Sequence, residues 1–458
     1  MPFKRNVSVP LPGKITPPYT TAIIVVVAAV LSISAALLNG FPLSYIDLGT
    51  YIDSGFEGYA PPDRPVFYGL FLRHISLSRH LFLVVFAQAL LACWLMRDLI
   101  RAFVKPEHVN AVFLIAVVLI VLTTSYSVVV SLLIPDIFTP LCYLAVVNIL
   151  WGTLQNKASL RAYYCAFVFF VITQNASILS FLILLPSLLL FFYFKKEPER
   201  IRKCLHLIAA LFIGIVCIAG HNYLSTGKAR LSAMSHVFIM SRMIEFGVVQ
   251  DYLDKTCESK QYRICPYKDS LQWDFIFNKN SVLYKTGGWE KNKEEYTAIL
   301  KDLLLSKEYG PLVLQKTTRD AVKQLYTFDT YVDPPLLKGS PPYGQIKWRF
   351  DNELKRYEHS RQNRRTFYLD RLNSAQRFVV TISVCVLLLA FIFQRKRMGA
   401  ALGNVVGTLA VFMIVNALIV SFFATVDARY QMRLIWLFPV LALIIIYSFL
   451  TKDKNLSY

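Results

Sequence analysis

Long apolar runs alternate with short polar breaks along most of this chain. The runs stand at 21–39, 80–96, 109–124, 137–153, 162–175, 177–194, 204–222, 378–394, 400–423 and 431–450. Several approach the ~20 residues that a helix needs to cross a bilayer. Those at 162–175 and 177–194 are shorter and nearly continuous, which fits a tight helical hairpin that does not fully cross. The pattern predicts an all-α polytopic membrane protein with about ten transmembrane helices.

Two polar stretches, 40–79 and 223–377, interrupt the runs. They divide the chain into an N-terminal transmembrane module (1–222, with the loop 40–79), a soluble domain (223–377) and C-terminal helices (378–458). Inside the soluble domain, helical spacing appears at 292–306 (Tyr296, Ile299, Leu300, Leu303) and at 309–328 (Leu312, Leu314, Ala321, Leu325). Pro311 suits the first turn of the second helix. Residues 349–362 are charged throughout and read as a solvated helix, whereas 330–346 reads as a Pro- and Gly-rich loop. The domain is therefore mostly helical.

Composition agrees with membrane residence: the 458 residues are 55% hydrophobic and only 17% charged, with net charge +20. The cations flank the runs. With the N-terminus in the cytoplasm, the inner pieces hold Lys4, Arg5 and Lys14; Arg97, Arg101 and Lys105; Lys157 and Arg161; Lys195 to Lys203; Arg395 to Arg397; and Lys452 and Lys454. The short outer pieces 125–136 and 175–177 hold none, which is the positive-inside pattern. A nucleic-acid partner is excluded, because the basic residues form no single stripe. The first run lacks a small-residue cleavage site and reads as a retained helix.

Cys93, Cys142, Cys165, Cys217 and Cys385 lie in apolar runs and read as packing residues. Cys257 and Cys265 lie close together in the outer domain, where a disulfide can form. The sequence contains no phosphate-binding glycine loop, zinc-protease motif or nucleophile elbow. The runs are nearly free of ionisable residues, unlike those of proton-coupled transporters. Acids and bases gather instead at the outer boundary.

Asp47, after the first run, reads as a general base or as a carboxylate orienting an acceptor; the bland reading is a helix N-cap before Leu48. Asp53 falls off the face of Asp47. Arg64, in Asp63-Arg64-Pro65, can hold a phosphate by its planar fork or pair locally with Asp63. Asp136 follows Pro135 at the mouth of the fourth run, where it serves either the helix terminus or a polar site. Arg429, Tyr430 and Arg433 open the last run; they suit a lipid phosphate or interfacial anchoring. His221, Lys228 and Arg230 are weaker candidates. His236 and Arg242 read as ordinary surface groups.

Asp47 with Tyr51, Pro135-Asp136, Arg429-Tyr430 before Pro439, and one long outer insertion occur in an order that resembles the GT-C superfamily of polyprenyl-phosphate-sugar-dependent membrane glycosyltransferases. The likeness is nearest to the branch of protein mannosyltransferases and lipid A aminoarabinose transferases. It implies a GT-C-like fold in a bacterial inner (plasma) membrane with the N-terminus cytoplasmic. It further implies a polyprenyl-phosphate-linked sugar donor and a lipid, glycan or protein acceptor. Asp47 and Asp136 would be catalytic; Arg64, Tyr51, Arg429, Tyr430, Arg433 and His221 would bind substrate. Many members pair two acids where this chain has Asp47 alone, which leaves a divalent cation open. The alternatives are a lipid or oligosaccharide flippase and a non-catalytic assembly subunit. An enzyme requires Asp47, Asp136 and Arg429 to converge; an assembly subunit would leave them far apart.

Overall fold

In a computed structural model of the protein, residues 18–451 are described, apart from 155 and 273. Lys4, Arg5, Lys14, Lys452 and Lys454 lie outside the described residues. Helices dominate, and the described residues contain no strand, only an isolated bridge between Leu43 and Leu132.

Six helices are long and apolar enough to cross a membrane: Phe82–Arg101, Ala176–Lys195, Pro198–Thr226, Asp370–Phe393, Ala400–Phe423 and Arg429–Leu450. The other four expected spans are the shorter helices Pro18–Ser32, Val109–Thr123, Phe138–Trp151 and Lys157–Thr173. Apolar sequence continues through turns and into buried centres, so the length of a run and the length of its helix differ. The first run turns at Ile33 before Ser34–Asn39. Every residue of Phe138–Trp151 is buried, so this short helix is apolar all round because protein surrounds it. The expected hairpin has one short arm, Lys157–Thr173, and one arm long enough to cross, Ala176–Lys195. Helices Pro198–Thr226 and Asp370–Phe393 expose Phe212, Ile213, Val216, Phe378, Ile382 and Ile392, an outward apolar surface of the kind lipid covers.

Segments 40–79 and 223–377 meet at one end of the bundle. Helix Pro341–Arg349 packs on Leu48–Glu57, Arg349 pairs with Glu57, and Ala233 N–H bonds to Pro62 C=O at 2.7 Å. The predicted helices appear as Lys293–Leu305 and Tyr309–Tyr326, with Pro311 in the first turn. The long segment divides its buried side chains. Val237 through Val313 form a second core, whereas Leu336, Ile346, Phe350 and Tyr357 join the main one.

Three expectations are corrected by this packing. His236 and Arg242 are buried, since their helix Ser235–Glu245 is wedged against the Ala400–Phe423 helix and Lys293–Leu305. Arg242 reaches Ser421 C=O at 2.8 Å and pairs with Asp320 and Glu245. The helix Asp351–Glu358 is not fully solvated, because Glu353 is buried and accepts the Leu81 N–H at 2.9 Å. Cys165, Cys217 and Cys385 are exposed on the helix surfaces, whereas Cys93 and Cys142 are buried. Cys257 and Cys265 form a disulfide.

Candidate functional site

Asp47 and Asp136 are far apart in sequence, and the Leu43–Leu132 bridge brings their loops together. Leu43 N–H donates to Ser131 C=O and Leu133 N–H donates to Leu43 C=O, both at 2.9 Å. Tyr45 then turns the chain inward. Its hydroxyl donates to Tyr331 C=O at 2.9 Å, and its ring stacks on Tyr331. The Ile46 N–H donates to Asp333 at 2.7 Å. Helix Leu48–Glu57 follows, so Asp47 does occupy the N-cap position. Its side chain makes no capping bond and is free to engage other partners.

Those partners are two arginines. Arg64 reaches Asp47 Oδ1 at 3.1 Å and Asp63 Oδ2 at 2.5 Å, so the local and the long-range readings of Arg64 both hold. Its guanidinium lies 5.0 Å from the centroid of the Tyr51 ring. The approach depends on Gly55 and Gly69, where two helices touch backbone to backbone. A Cβ on Gly55 would stand 2.2 Å from Gly69 C=O.

Arg429 bridges the two acids. Its Nη1 donates to Asp47 Oδ2 at 3.0 Å, its Nε to Asp136 Oδ2 at 2.6 Å and its Nη2 to Asp136 Oδ1 at 3.4 Å. The cation sits 4.9 Å from the Tyr45 ring centroid. Asp427 holds the Arg429 N–H at 2.8 Å. One turn on, Arg433 stands 3.6 Å from Asp136 and donates to Asn416 at 3.2 Å; Gln174 also donates to Asp136, at 3.2 Å. Arg433 lies 5.6 Å from the ring centroid of Tyr430.

Three acids (Asp47, Asp63, Asp136) thus face three cations (Arg64, Arg429, Arg433), and this balance makes their burial tolerable. Depth separates their roles. The side chains of Asp136 and Arg433 are 2% exposed, against 22% for Asp47, 23% for Arg429 and 18% for Arg64. A molecule approaching from solvent meets the last three. Burial alone would raise the Asp47 pKa, but Arg64 and Arg429 outweigh it and hold the carboxyl below its usual range. Arg64 Nη1, Arg433 Nε and both polar atoms of Gln431 are buried without a hydrogen-bond partner among the described residues. Spare donors of this kind are expected where a polar ligand completes a site.

His221 is not brought into the cluster; its ring packs edge-on against Phe67, 5.8 Å between centroids. Asp53 also stands apart, bonded to Tyr59 and Gln345. The residues present do not fit a divalent cation. Asp47 and Asp136 share one guanidinium, and among the described residues no group of three or more His, Cys, Asp or Glu can hold a metal ion. Tyr45, Gln174, Asn416, Tyr331 and Asp333 support the site and were not singled out from sequence. Asp333 belongs to the Pro-rich loop, and burial raises its pKa. Only its fold-level neighbours reveal it.

Comparison with known protein families, curated proteins and solved structures finds no match. The functional reading therefore stands on the site alone.

Proposed function

We propose that this chain is a membrane glycosyltransferase that moves a sugar from a polyprenyl-phosphate donor to a lipid, glycan or protein acceptor on the extracytoplasmic side. The observation that supports it is the suspension of Asp47 between Arg64 and Arg429, with Asp136 behind Arg429. These side chains come from four separate stretches of chain and meet where apolar helices give way to polar segments. Such convergence is not what an assembly subunit requires.

In the transfer, the acceptor oxygen or nitrogen forms a bond to the sugar anomeric carbon as the bond from that carbon to the phosphate oxygen breaks. The acceptor proton passes to Asp47, and polyprenyl phosphate departs. Negative charge grows on the leaving phosphate, and Arg64 and Arg429 stand ready to receive it. A carboxylate clasped by two arginines is a weak base. A donor phosphate drawing one arginine toward itself returns Asp47 toward ordinary basicity, so donor binding and base activation are coupled. Asp136, with Gln174 and Arg433, holds Arg429 in aim.

Proteoliposomes supplied with labelled polyprenyl-phosphate sugars test this reading. The intact chain is expected to transfer label to an acceptor, and Asp47→Asn to lose that transfer while inserting normally. Full transfer by Asp47→Asn would remove Asp47 from the chemistry. Absence of transfer from any polyprenyl-phosphate sugar would end the proposal.

A further inference from the structure

Exposed arginines crowd the end of the bundle where segments 40–79 and 223–377 meet. Arg361, Arg364 and Arg365 stand on one tight turn, and Arg371 lies in the first turn of helix Asp370–Phe393. None of the four forms an ion pair with an acid among the described residues. Neighbouring cations do: Arg377 pairs with Asp329 and Arg349 with Glu57. Between 355 and 371, six Lys and Arg stand against two acids, Glu358 and Asp370.

The turn is fixed from its inner side. Arg364 N–H donates to Ser360 C=O at 3.0 Å, and Thr366 N–H to Arg361 C=O at 2.9 Å. Buried Gln362 donates to Ser44 C=O at 2.7 Å and to Asp333 C=O at 3.1 Å. Buried Asn363 donates to Tyr357 C=O at 2.8 Å and accepts the Leu336 N–H at 2.9 Å. The polar anchors point inward, so the three guanidinium groups are displayed outward on a rigid base.

Two connections set the level of this turn along the bundle. Arg361 N–H donates to Asn39 C=O at 2.9 Å, and Asn39 ends the helix Ser34–Asn39, whose Leu37 and Leu38 are 52% and 60% exposed. Phe378 and Ile382, seven and eleven residues beyond Arg371, share its helix face and are also exposed. At 1.5 Å per residue, Phe378 lies about 10 Å along the helix from Arg371. Tyr368, 79% exposed, stands just before that helix, as interfacial aromatic residues do. On both connections an apolar surface of the kind hydrocarbon covers gives way, within a short distance, to arginine.

We propose that Arg361, Arg364, Arg365 and Arg371 form a binding surface for the headgroups of anionic phospholipids in the adjoining leaflet. Unpaired positive charge at the level of the lipid phosphates selects a headgroup with net negative charge over a zwitterionic one. A soluble acidic partner would meet the same charge but would leave Leu37, Leu38 and Phe378 uncovered. The proposal rests on the apolar helices and this turn, and is independent of the transferase reading.

Photo-crosslinking tests it, with the full chain in phosphatidylcholine nanodiscs. Trace phosphatidylglycerol or phosphatidylcholine carries a photoreactive group at the headgroup, and labelled peptides are mapped by mass spectrometry. Labelling of 361–371 by phosphatidylglycerol is expected to exceed that by phosphatidylcholine by on the order of tenfold, and to fall toward parity in molar salt. Arg361→Gln/Arg364→Gln/Arg365→Gln should erase most of that excess, whereas the matching triple Lys variant should keep it. These side chains are exposed, so the melting curve should not move in either variant. Equal labelling by the two lipids, or an excess undiminished by the Gln variant, would overturn the proposal. So would displacement of phosphatidylglycerol by poly-aspartate at equal charge concentration, which would assign the turn to a soluble acidic partner.

Discussion

Asp47 and Asp136 bind the same guanidinium, yet their removal should act on different quantities. Asp136 is 2% exposed and accepts from Arg429 and Gln174 while standing 3.6 Å from Arg433. Asp136→Ala would leave Arg433, itself 2% exposed, without an acid, and Arg429 with Asp47 alone. Breaking a buried ion pair by deleting one partner costs about 3–5 kcal/mol. Asp47→Asn removes a charge that is 22% exposed, and both of its partners keep another acid: Arg64 keeps Asp63, and Arg429 keeps Asp136. Its cost should be that of a part-exposed pair, about 1 kcal/mol or less. Thermal unfolding in detergent, followed by fluorescence, should therefore show a drop on the order of 10 °C for Asp136→Ala and only a degree or two for Asp47→Asn. Sugar transfer should be lost in both, but only Asp136→Ala should lose it through the scaffold. An Asp47→Asn protein as unstable as Asp136→Ala would refute the division, and Asp47 would then be one more structural ion pair.

Other measurements bear on neighbouring parts. Arg429→Lys keeps the charge but cannot span both acids; turnover should fall by about 10²–10³, more than donor affinity changes, as steady-state kinetics would resolve. Gly55→Ala places a methyl 2.2 Å from the Gly69 carbonyl, so the two helices must part. Stability should drop by about 1–3 kcal/mol and Arg64 should lose its seat; a wild-type melting curve would contradict that. Because the Asp47 pKa is lowered in the fold, its contribution is complete above the ordinary carboxylate range near pH 4 and disappears as pH falls through the lower folded value. Asp333, whose pKa is raised, acts oppositely, losing stability as pH rises from the ordinary to the raised value. Melting temperature against pH in the wild type, Asp47→Asn and Asp333→Asn should separate the two. Reducing Cys257–Cys265 opens a short loop, worth about 2–3 kcal/mol by chain entropy, and should speed proteolysis between those residues.

Asp47, Asp136, Arg64 and Arg429 were legible in the sequence because charged residues at the ends of apolar runs are conspicuous. Asp333, Tyr331 and Gln174 were not legible, since they reach the site through contacts between remote segments that leave no periodic trace. Arg242 was misread for the same reason: the helix that buries it against Ser421 lies more than 150 residues further along. Run 137–153 folds as the shorter helix Phe138–Trp151, apolar all round because protein encloses it, so its hydropathy alone does not distinguish a lipid-facing span from a buried helix. The Lys293–Leu305 and Tyr309–Tyr326 helices were recovered because each presents one apolar face to a nearby core.

Gln324, on the Tyr309–Tyr326 helix, is joined to Asp427 by a matched pair of bonds: its amide donates to the Asp427 carbonyl at 2.7 Å and accepts the Asp427 N–H at 3.0 Å. Asp427 in turn grips the backbone of Arg429. The polar domain is thus yoked to the bridging arginine, and force applied to it from outside travels two residues before it tugs on that guanidinium. Any macromolecule that grasps the domain gains a rein on the charge balance beneath.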